Sequence, residues 1–448
     1  MPRQSAVDLL AQAMQTLVAG FAHLPPYQSP SPEAERENAV LAELAVRLHD
    51  NFPYFHPLYA GQMLKPPHPV AHAAYSLAMS LNPNNHALDG GRATSALEKE
   101  AVAHIAAMFG WTDFLGHLCG GGTVANLEAL WIAGQIHPGK TILASEQAHY
   151  THKRMSVLLK LPFETLPCDV QGRMKSNALQ DRLSRGDVGA VIATIGTTAT
   201  GSIDPLPEIL ELRTRYNFRL HADAAYGGYF LLADNLDTHA RRCFDVIAQA
   251  DSIVIDPHKH GLQPYGCGCV LFRDPAVGRF YKHDSPYTYF SSRELHLGEI
   301  SLECSRPGAA AAALWATQKL LPLVSHGEFA KGLQRSREAA LTLHAKLLAD
   351  NRFISASAPE LDIVVFLPRA ASVSAASTLS HRVFAAAAKH HLHLALAELP
   401  TEFFHAKLGS TTIDRPSVTC LRSVLMKPEH LEWIDRIWNR LIASLGDA

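Results

Sequence analysis

The sequence predicts an α/β fold, a mostly parallel sheet wrapped by helices, and two observations carry that prediction. Between about residue 95 and residue 275, short β-rich runs alternate with helical stretches. The ends of four of those runs carry chemistry-bearing residues: His149, the pair Thr197 and Thr198, Asp223, and the pair His258 and Lys259. Ligands of open parallel sheets bind beyond the carboxyl ends of the strands, so such residues converge on one crevice.

Ahead of the sheet, Val7, Leu10, Ala11, Met14, Leu17, Val18 and Phe21 recur at helical spacing behind Ser5-x-x-Asp8. That is an amphipathic helix with an N-terminal cap, and its apolar stripe must lie on something. A Pro-rich link from Pro25 to Pro32 leads to a second helix with Val40, Leu41, Leu44, Ala45 and Leu48 on one face. The strands are read at Thr141–Ala144, Ala190–Ile195, Phe218–Ala222, Ser252–Ile255 and Cys269–Phe272. Asp204-Pro-Leu-Pro, followed by Ile209, Leu210, Arg213 and Tyr216, completes a strand-helix-strand unit. Farther on, a helix from Phe329 to about Ala349 precedes strands near Ile363–Phe366, His391–Leu396 and Val418–Leu425. The Ala-rich stretches Ala309–Ala313 and Ala385–Ala388 should be helical. The order is an N-terminal arm (1–70), a large domain (71–315) and a small α/β domain (316–448).

With 448 residues, 47% of them hydrophobic, the chain can bury a large core. A formal net charge of -2 with 18% charged residues lacks the basic excess of a nucleic-acid binder, so a small-molecule partner is expected. The seven cysteines are scattered and form no C-x-x-C pair, which suits free thiols in a reducing compartment. Asp8, Gln12 and Gln15 interrupt any signal-peptide core, and no stretch approaches the roughly 20 apolar residues of a membrane span. The expected location is the cytoplasm, away from membranes.

Cys119-Gly-Gly-Gly-Thr-Val-Ala-Asn126 opens a helical stretch. Glycines at a helix entry let backbone N–H groups approach an anion, which makes Gly121, Gly122 and Thr123 a phosphate cradle; the plain alternative is a tight turn. Asp223 closes the strand in Leu220-His-Ala-Asp-Ala-Ala-Tyr226, where a buried carboxylate is costly unless a cation meets it. A protonated pyridine nitrogen is such a cation, and a salt bridge or helix cap is the structural alternative. Lys259, flanked by His258 and His260, reads by default as a surface loop lysine, and in its crowded strand-end setting as the kind that does imine chemistry. The three features together, on one face of one sheet, favour the chemical reading. The 25 histidines and the His390-His-Leu-His393 run raise a metal-binding or scaffolding alternative. A strand with Leu392, Leu394 and Leu396 on one face and His391 and His393 on the other explains the run without a metal, and no carboxylate or thiol cluster accompanies it. Cys267 and Cys269 are read as strand-start packing.

From about His56 to Pro428 these motifs resemble the fold-type-I (aspartate aminotransferase-like) pyridoxal-phosphate enzymes, and within them the group II amino-acid decarboxylases for aromatic amino acids, glutamate and tyrosine. Asp256-Pro-His-Lys259 resembles that family's Schiff-base motif, His221-Ala-Asp-Ala-Ala-Tyr226 its pyridinium-partner motif, and Thr194-Ile-Gly-Thr-Thr-Ala-Thr-Gly-Ser-Ile-Asp204 a third hallmark. The resemblance implies a large domain with a seven-stranded mostly parallel sheet, a smaller C-terminal domain, a homodimer with active sites at the interface, and pyridoxal 5′-phosphate as cofactor. It implies that Lys259 holds the cofactor, that Asp223 keeps its ring nitrogen protonated, and that His149 and Ala225 pack on its two faces. Gly121, Gly122, Thr123 and His258 would hold the phosphate, with Thr198 near the ring substituents. Arg422 would meet a substrate carboxylate, Tyr59 and Gln62 of the segment His56–Gln62 would line the pocket mouth, and Tyr287 would return a proton.

The implied reaction is decarboxylation of an L-amino acid to its amine. Four departures stand out: Asp256 where many relatives carry Asn, beside a dianionic phosphate; His260 in place of a frequent aromatic; Arg92 in place of a proline; and Ser305-Arg-Pro-Gly308, which is closer to carbon-carbon lyases acting on phosphorylated amino alcohols. Such an aldolase-like lyase is the enzymatic alternative. A catalytically silent relative is the other, and the joint presence of Lys259, Asp223 and His149 argues against it.

Overall fold

The computed structural model describes residues 6–25, 33–282 and 295–448. The chain opens with α1 (Ala6–Ala19) and α2 (Ala34–Leu48). The Ser5 cap and nearly all of the Pro-rich link lie outside the described residues. Within the single chain α1 touches α3 (Pro69–Met79), yet neither α1 nor α2 buries a residue. Val7, Val18, Phe21, Val40, Leu41, Leu44 and Leu48 are all exposed, since none of the described residues buries them.

Next, α4 (Leu88–Met108) lays Ala101, Val102, Ile105 and Ala106 on the core, a helical repeat of small and branched side chains that lets the helix pack close. The sheet elements then alternate: β1 (Leu115–Cys119), α5 (Gly122–Ile136), β2 (Thr141–Ser145), α6 (Thr151–Leu158), β3 (Phe163–Leu166), α7 (Ser176–Leu183), β4 (Val188–Thr194), α8 (Leu206–Arg213), β5 (Arg219–Asp223), α9 (Thr238–Val246), β6 (Ser252–Ile255) and β7 (Gly268–Phe272). Among the described residues they form a seven-stranded sheet in the order β1-β7-β6-β5-β4-β2-β3. Only β7 runs against the rest, being antiparallel to both β1 and β6. The strands β2, β4, β6 and β7 are buried along their whole length, as a sheet covered on both faces requires.

Helices α10 (Gly308–Leu320) and α11 (Glu328–Ala349) lead to a four-stranded antiparallel sheet, with β8 (Phe353–Ser355), β9 (Ile363–Pro368), α12 (Val373–Lys389), β10 (Ala395–Pro400), α13 (His405–Leu408), β11 (Ser417–Val424) and α14 (His430–Gly446). The order β10-β11-β9-β8 puts β11, the longest strand, and β9 at its centre. The strand expected over His391–Leu396 is corrected: β10 begins at Ala395, and His391 turns the chain at φ +60°. Leu392 and Leu394 are buried as expected, but His393 forms a lone β-bridge with Tyr59, tying the N-terminal segment to the small sheet.

Candidate active site

Because β2, β4, β5 and β6 are parallel, their carboxyl ends open on one edge; Thr194 of β4 stands opposite Asp223 of β5, and Asp223 opposite Val254 of β6. Asp223 is 5% exposed. Its Oδ2 accepts a 2.7 Å hydrogen bond from Nε2 of His152, and its Oδ1 accepts the Ala225 N–H at 3.2 Å. Burial pushes this carboxyl up, but the His152 hydrogen bond and the nearby His152, His221 and Lys259 outweigh it and hold it well below the usual carboxylate range. Asp223 is therefore an ionised carboxylate at a strand end. The motif histidine His221 is a strut: Nε2 pairs with Asn126 Oδ1 at 2.8 Å and Nδ1 with Ser252 Oγ at 2.9 Å, and burial pushes it down to about 3. Asp204 of the third motif is also a strut, accepting the N–H groups of Met174 (2.7 Å) and Thr194 (2.8 Å).

His149 stands just before α6, with Nδ1 2.7 Å from Thr151 Oγ1. Burial lowers its pKa although Asp223 opposes, so a neutral ring lies within electrostatic reach of Asp223, Lys259 and Asp256. His152 escaped the sequence reading. No local pattern marks it, because its partner Asp223 lies 71 residues away, on β5.

Lys259 Nζ lies 3.0 Å from Asp256 Oδ2, and His258 Nδ1 donates to the Cys267 carbonyl at 2.8 Å. Across from them the chain enters α5 through Gly121 at φ +142°, a conformation that L side chains rarely adopt. A Cβ at Gly121 would meet His258 at 3.2 Å, and one at Gly122 would meet Asp256 at 2.7 Å. Thr123 follows on the first turn of α5, where N–H groups lack helical partners. Ala225 is buried beside Asp223.

Arg422, on β11, reaches the same edge from the small sheet. Its Nη1 donates to the Thr198 carbonyl at 3.0 Å and its Nη2 to Gln62 Oε1 at 2.5 Å, while the buried Nε has no hydrogen-bond partner among the described residues. Thr198 thus contributes its carbonyl to the arginine. Tyr59 is 4% exposed and is held by Lys427, whose Nζ donates to its carbonyl at 2.7 Å and sits 5.2 Å from its ring. Tyr287 lies outside the described residues.

Two sequence departures have structural partners. His260 is buried with Nε2 3.2 Å from Asp362 Oδ2, and Tyr226 donates to Asp362 Oδ1 at 2.5 Å, so the group that replaces an aromatic helps join the two sheets. Arg306 of the Ser305–Gly308 segment forms a buried ion pair with Glu98 at 2.7 Å and donates to the Leu118 carbonyl. Among the described residues no group of three or more His, Cys, Asp or Glu side chains is placed to hold a metal ion, and no helix is long and apolar enough to cross a membrane.

An amine, an ionised buried carboxylate and a glycine cradle at a helix N-terminus are the donor set that pyridoxal phosphate requires. Residues 127–369 match the family model described as the pyridoxal-dependent decarboxylase conserved domain. The chain belongs to the pyridoxal-dependent decarboxylase family. It is 28% identical to the L-tyrosine decarboxylase of Enterococcus faecium over 68% of this chain and 67% of that protein. It is 30% identical to a probable L-tyrosine/L-aspartate decarboxylase of Methanothermobacter thermautotrophicus over 68% of this chain and 82% of that one. Among solved structures, mouse CSAD in its apo form superposes with a TM-score of 0.78 at 21% identity, covering 98% of this chain and 99% of that chain. Oryza sativa TDC with PLP and tryptamine gives 0.79 at 17% identity over 98% and 96%. These likenesses bear on the fold, which is fold type I. The decarboxylase is a pyridoxal-phosphate enzyme that removes carbon dioxide from an amino acid, and the carbon-carbon lyase alternative is not favoured.

Proposed function

We propose that this decarboxylase carries its cofactor on Lys259, with Asp223 at the ring nitrogen, and acts on L-tyrosine or L-aspartate. The observation that carries the assignment is the buried Asp223 carboxylate, kept ionised by His152 and by charge that includes Lys259. When bound, the cofactor supplies a cationic ring that takes up the electron pair left as carbon dioxide departs. Asp223 holds the proton on that ring, because an ionised carboxylate favours a neighbouring cation. His149 and Ala225 would flank the bound group, and Gly121, Gly122 and Thr123 would hold its phosphate beside His258, whose Nδ1 is already committed to the Cys267 carbonyl. Arg422, whose Nε has no partner among the described residues, receives the substrate carboxylate, and Gln62 and Thr198 fix its plane. Tyr59 borders the entrance, and Tyr287 returns a proton to the carbon that loses its carboxylate.

The two substrates come from the names of the relatives, one an L-tyrosine decarboxylase and one a probable L-tyrosine/L-aspartate decarboxylase. The division into arm (1–70), large domain (71–315) and small domain (316–448) is part of this reading, as are a homodimer and a cytoplasmic location. The exposed apolar side chains of α1 and α2 support the dimer, since a second copy gives them a surface to cover. Carbon dioxide release from each of the common L-amino acids tests the substrate assignment. Turnover concentrated on tyrosine or aspartate is expected, and turnover of neither, with release from another amino acid, contradicts it.

A further inference from the structure

Asp256 stands where an acidic group is least welcome. Its side chain is buried against the first residue of α5, since a Cβ at Gly122 would lie 2.7 Å from Oδ2 and 3.1 Å from Oδ1. Oδ2 has Lys259 Nζ at 3.0 Å and His258 Nε2 at 3.6 Å, whereas Oδ1 is buried with no hydrogen-bond partner among the described residues. His258 uses its Nδ1 proton on the Cys267 carbonyl, and burial lowers its pKa, so its Nε2 presents a lone pair to Asp256. The amides and dipole of the α5 N-terminus draw an anion to this place. Glu303 Oε2 already takes the neighbouring Gly120 N–H at 3.0 Å. A fully ionised phosphate has only acceptor oxygens, so in this corner it meets a carboxylate and an imidazole lone pair. Lys259 is the cation between them, and the cofactor engages its amine. The set lacks one proton.

We propose that the cofactor's phosphate is held with one additional proton, shared between a phosphate oxygen and the Asp256 carboxylate. This rests on the reading that Lys259 carries the cofactor beside this cradle. The proton comes from solvent as the cofactor binds; a single O–H bond forms, its hydrogen bridging the two oxygens, and no other bond changes. Among the described residues whose titration is shifted, the others in electrostatic reach of Asp256 are His149, Tyr229, Tyr265, Cys267 and Cys269. Burial lowers the first and raises the other four, so all are neutral at neutral pH and none supplies the missing charge.

Phosphorus NMR of the holoenzyme reads the phosphate directly, wild type beside Asp256→Asn, between about pH 7 and about pH 9, where a free phosphate monoester with a second pKa near 6 is a dianion. The wild-type resonance is expected at the monoanion position and unmoved by pH, and the variant resonance at the dianion position. A wild-type signal at the dianion position throughout, or the same position in both proteins, overturns the proposal. If Asp256→Asn takes up no cofactor, the wild-type position decides alone. The visible imine band of the same samples reports the Lys259 link separately: the band with a dianion signal refutes the shared proton only, and a bound cofactor without the band refutes the Lys259 reading and the proposal with it.

Discussion

His152 Nε2 lies 2.7 Å from Asp223 Oδ2, and neither side chain is more than 5% exposed. A buried carboxylate that loses such a bond is left with an unmet acceptor, at a cost of about 1.5–3 kcal/mol for a hydrogen bond to a charged group. His152→Leu should therefore weaken cofactor binding by roughly 10- to 100-fold, and His152→Gln, which keeps a donor, should recover part of it. Fluorescence titration of the apoenzyme with cofactor measures this. Unchanged affinity in the Leu variant would show that His152 does not hold Asp223 for the ring.

Arg422 spends two nitrogens on Thr198 and Gln62, and its Nε has no partner among the described residues. A lysine has one charged nitrogen and no planar fork, so Arg422→Lys cannot hold both partners and a carboxylate together. We expect kcat/KM to fall roughly 10- to 100-fold, mostly through KM, with the cofactor spectrum unaltered. A loss confined to kcat would move Arg422 out of substrate binding.

At Gly122 an added methyl group would come within 2.7 Å of Asp256 Oδ2. Gly122→Ala should keep the far-UV circular dichroism of the wild type and lose most of its cofactor affinity. Full affinity in this variant would place the phosphate elsewhere.

His221, pushed down to about 3 by burial, has an ordinary value near 6.5 when unfolded. Between those values the unfolded chain binds more protons, so this contribution to stability is complete above about pH 6.5 and drains away as pH falls toward 3, by at most about 1.4 kcal/mol per unit. Asp223, held below the carboxylate range, adds a loss of the same sign at still lower pH. Asp204 and Glu360, each pushed up to about 7 by burial, act in the opposite sense, since a protonated buried acid favours the fold as pH falls. Urea midpoints for wild type and His221→Asn, compared from about pH 7 to about pH 5, isolate the histidine. The variant should show the weaker acid-side loss, and parallel curves would refute the assignment.

The five strands read from sequence are those whose β-branched and apolar runs cross the middle of the large sheet. The two strands of the large sheet that escaped, β1 and β3, have physical reasons to. β1 carries Gly116 and the buried His117, whose polarity is matched by Glu128 at 2.9 Å, a partner found only after folding. β3 is a four-residue edge strand, exposed at two central positions, with no apolar run to announce it. In the site, Lys259, Asp223 and the glycine cradle were legible because strand ends and helix entries are local features. The Arg422 cluster needed a resemblance, because Gln62, Thr198 and Arg422 come from distant parts of the chain and meet only when the small sheet docks on the large one. His152 needed the geometry, since a histidine on a short helix points to Asp223 only once β2 and β5 are placed in one sheet. The His390–His393 run misled for the converse reason: its alternation is strand-like, but the chain there is turning out of α12 at His391.

The central claim is that Lys259 carries the cofactor. Borohydride reduction of the holoenzyme, followed by proteolysis and mass spectrometry, fixes the cofactor to whichever amine holds it. The account predicts a single phosphopyridoxyl adduct on Lys259 and none in Lys259→Ala. An adduct on another lysine, or an unmodified Lys259 in protein that retains its visible band, would contradict it.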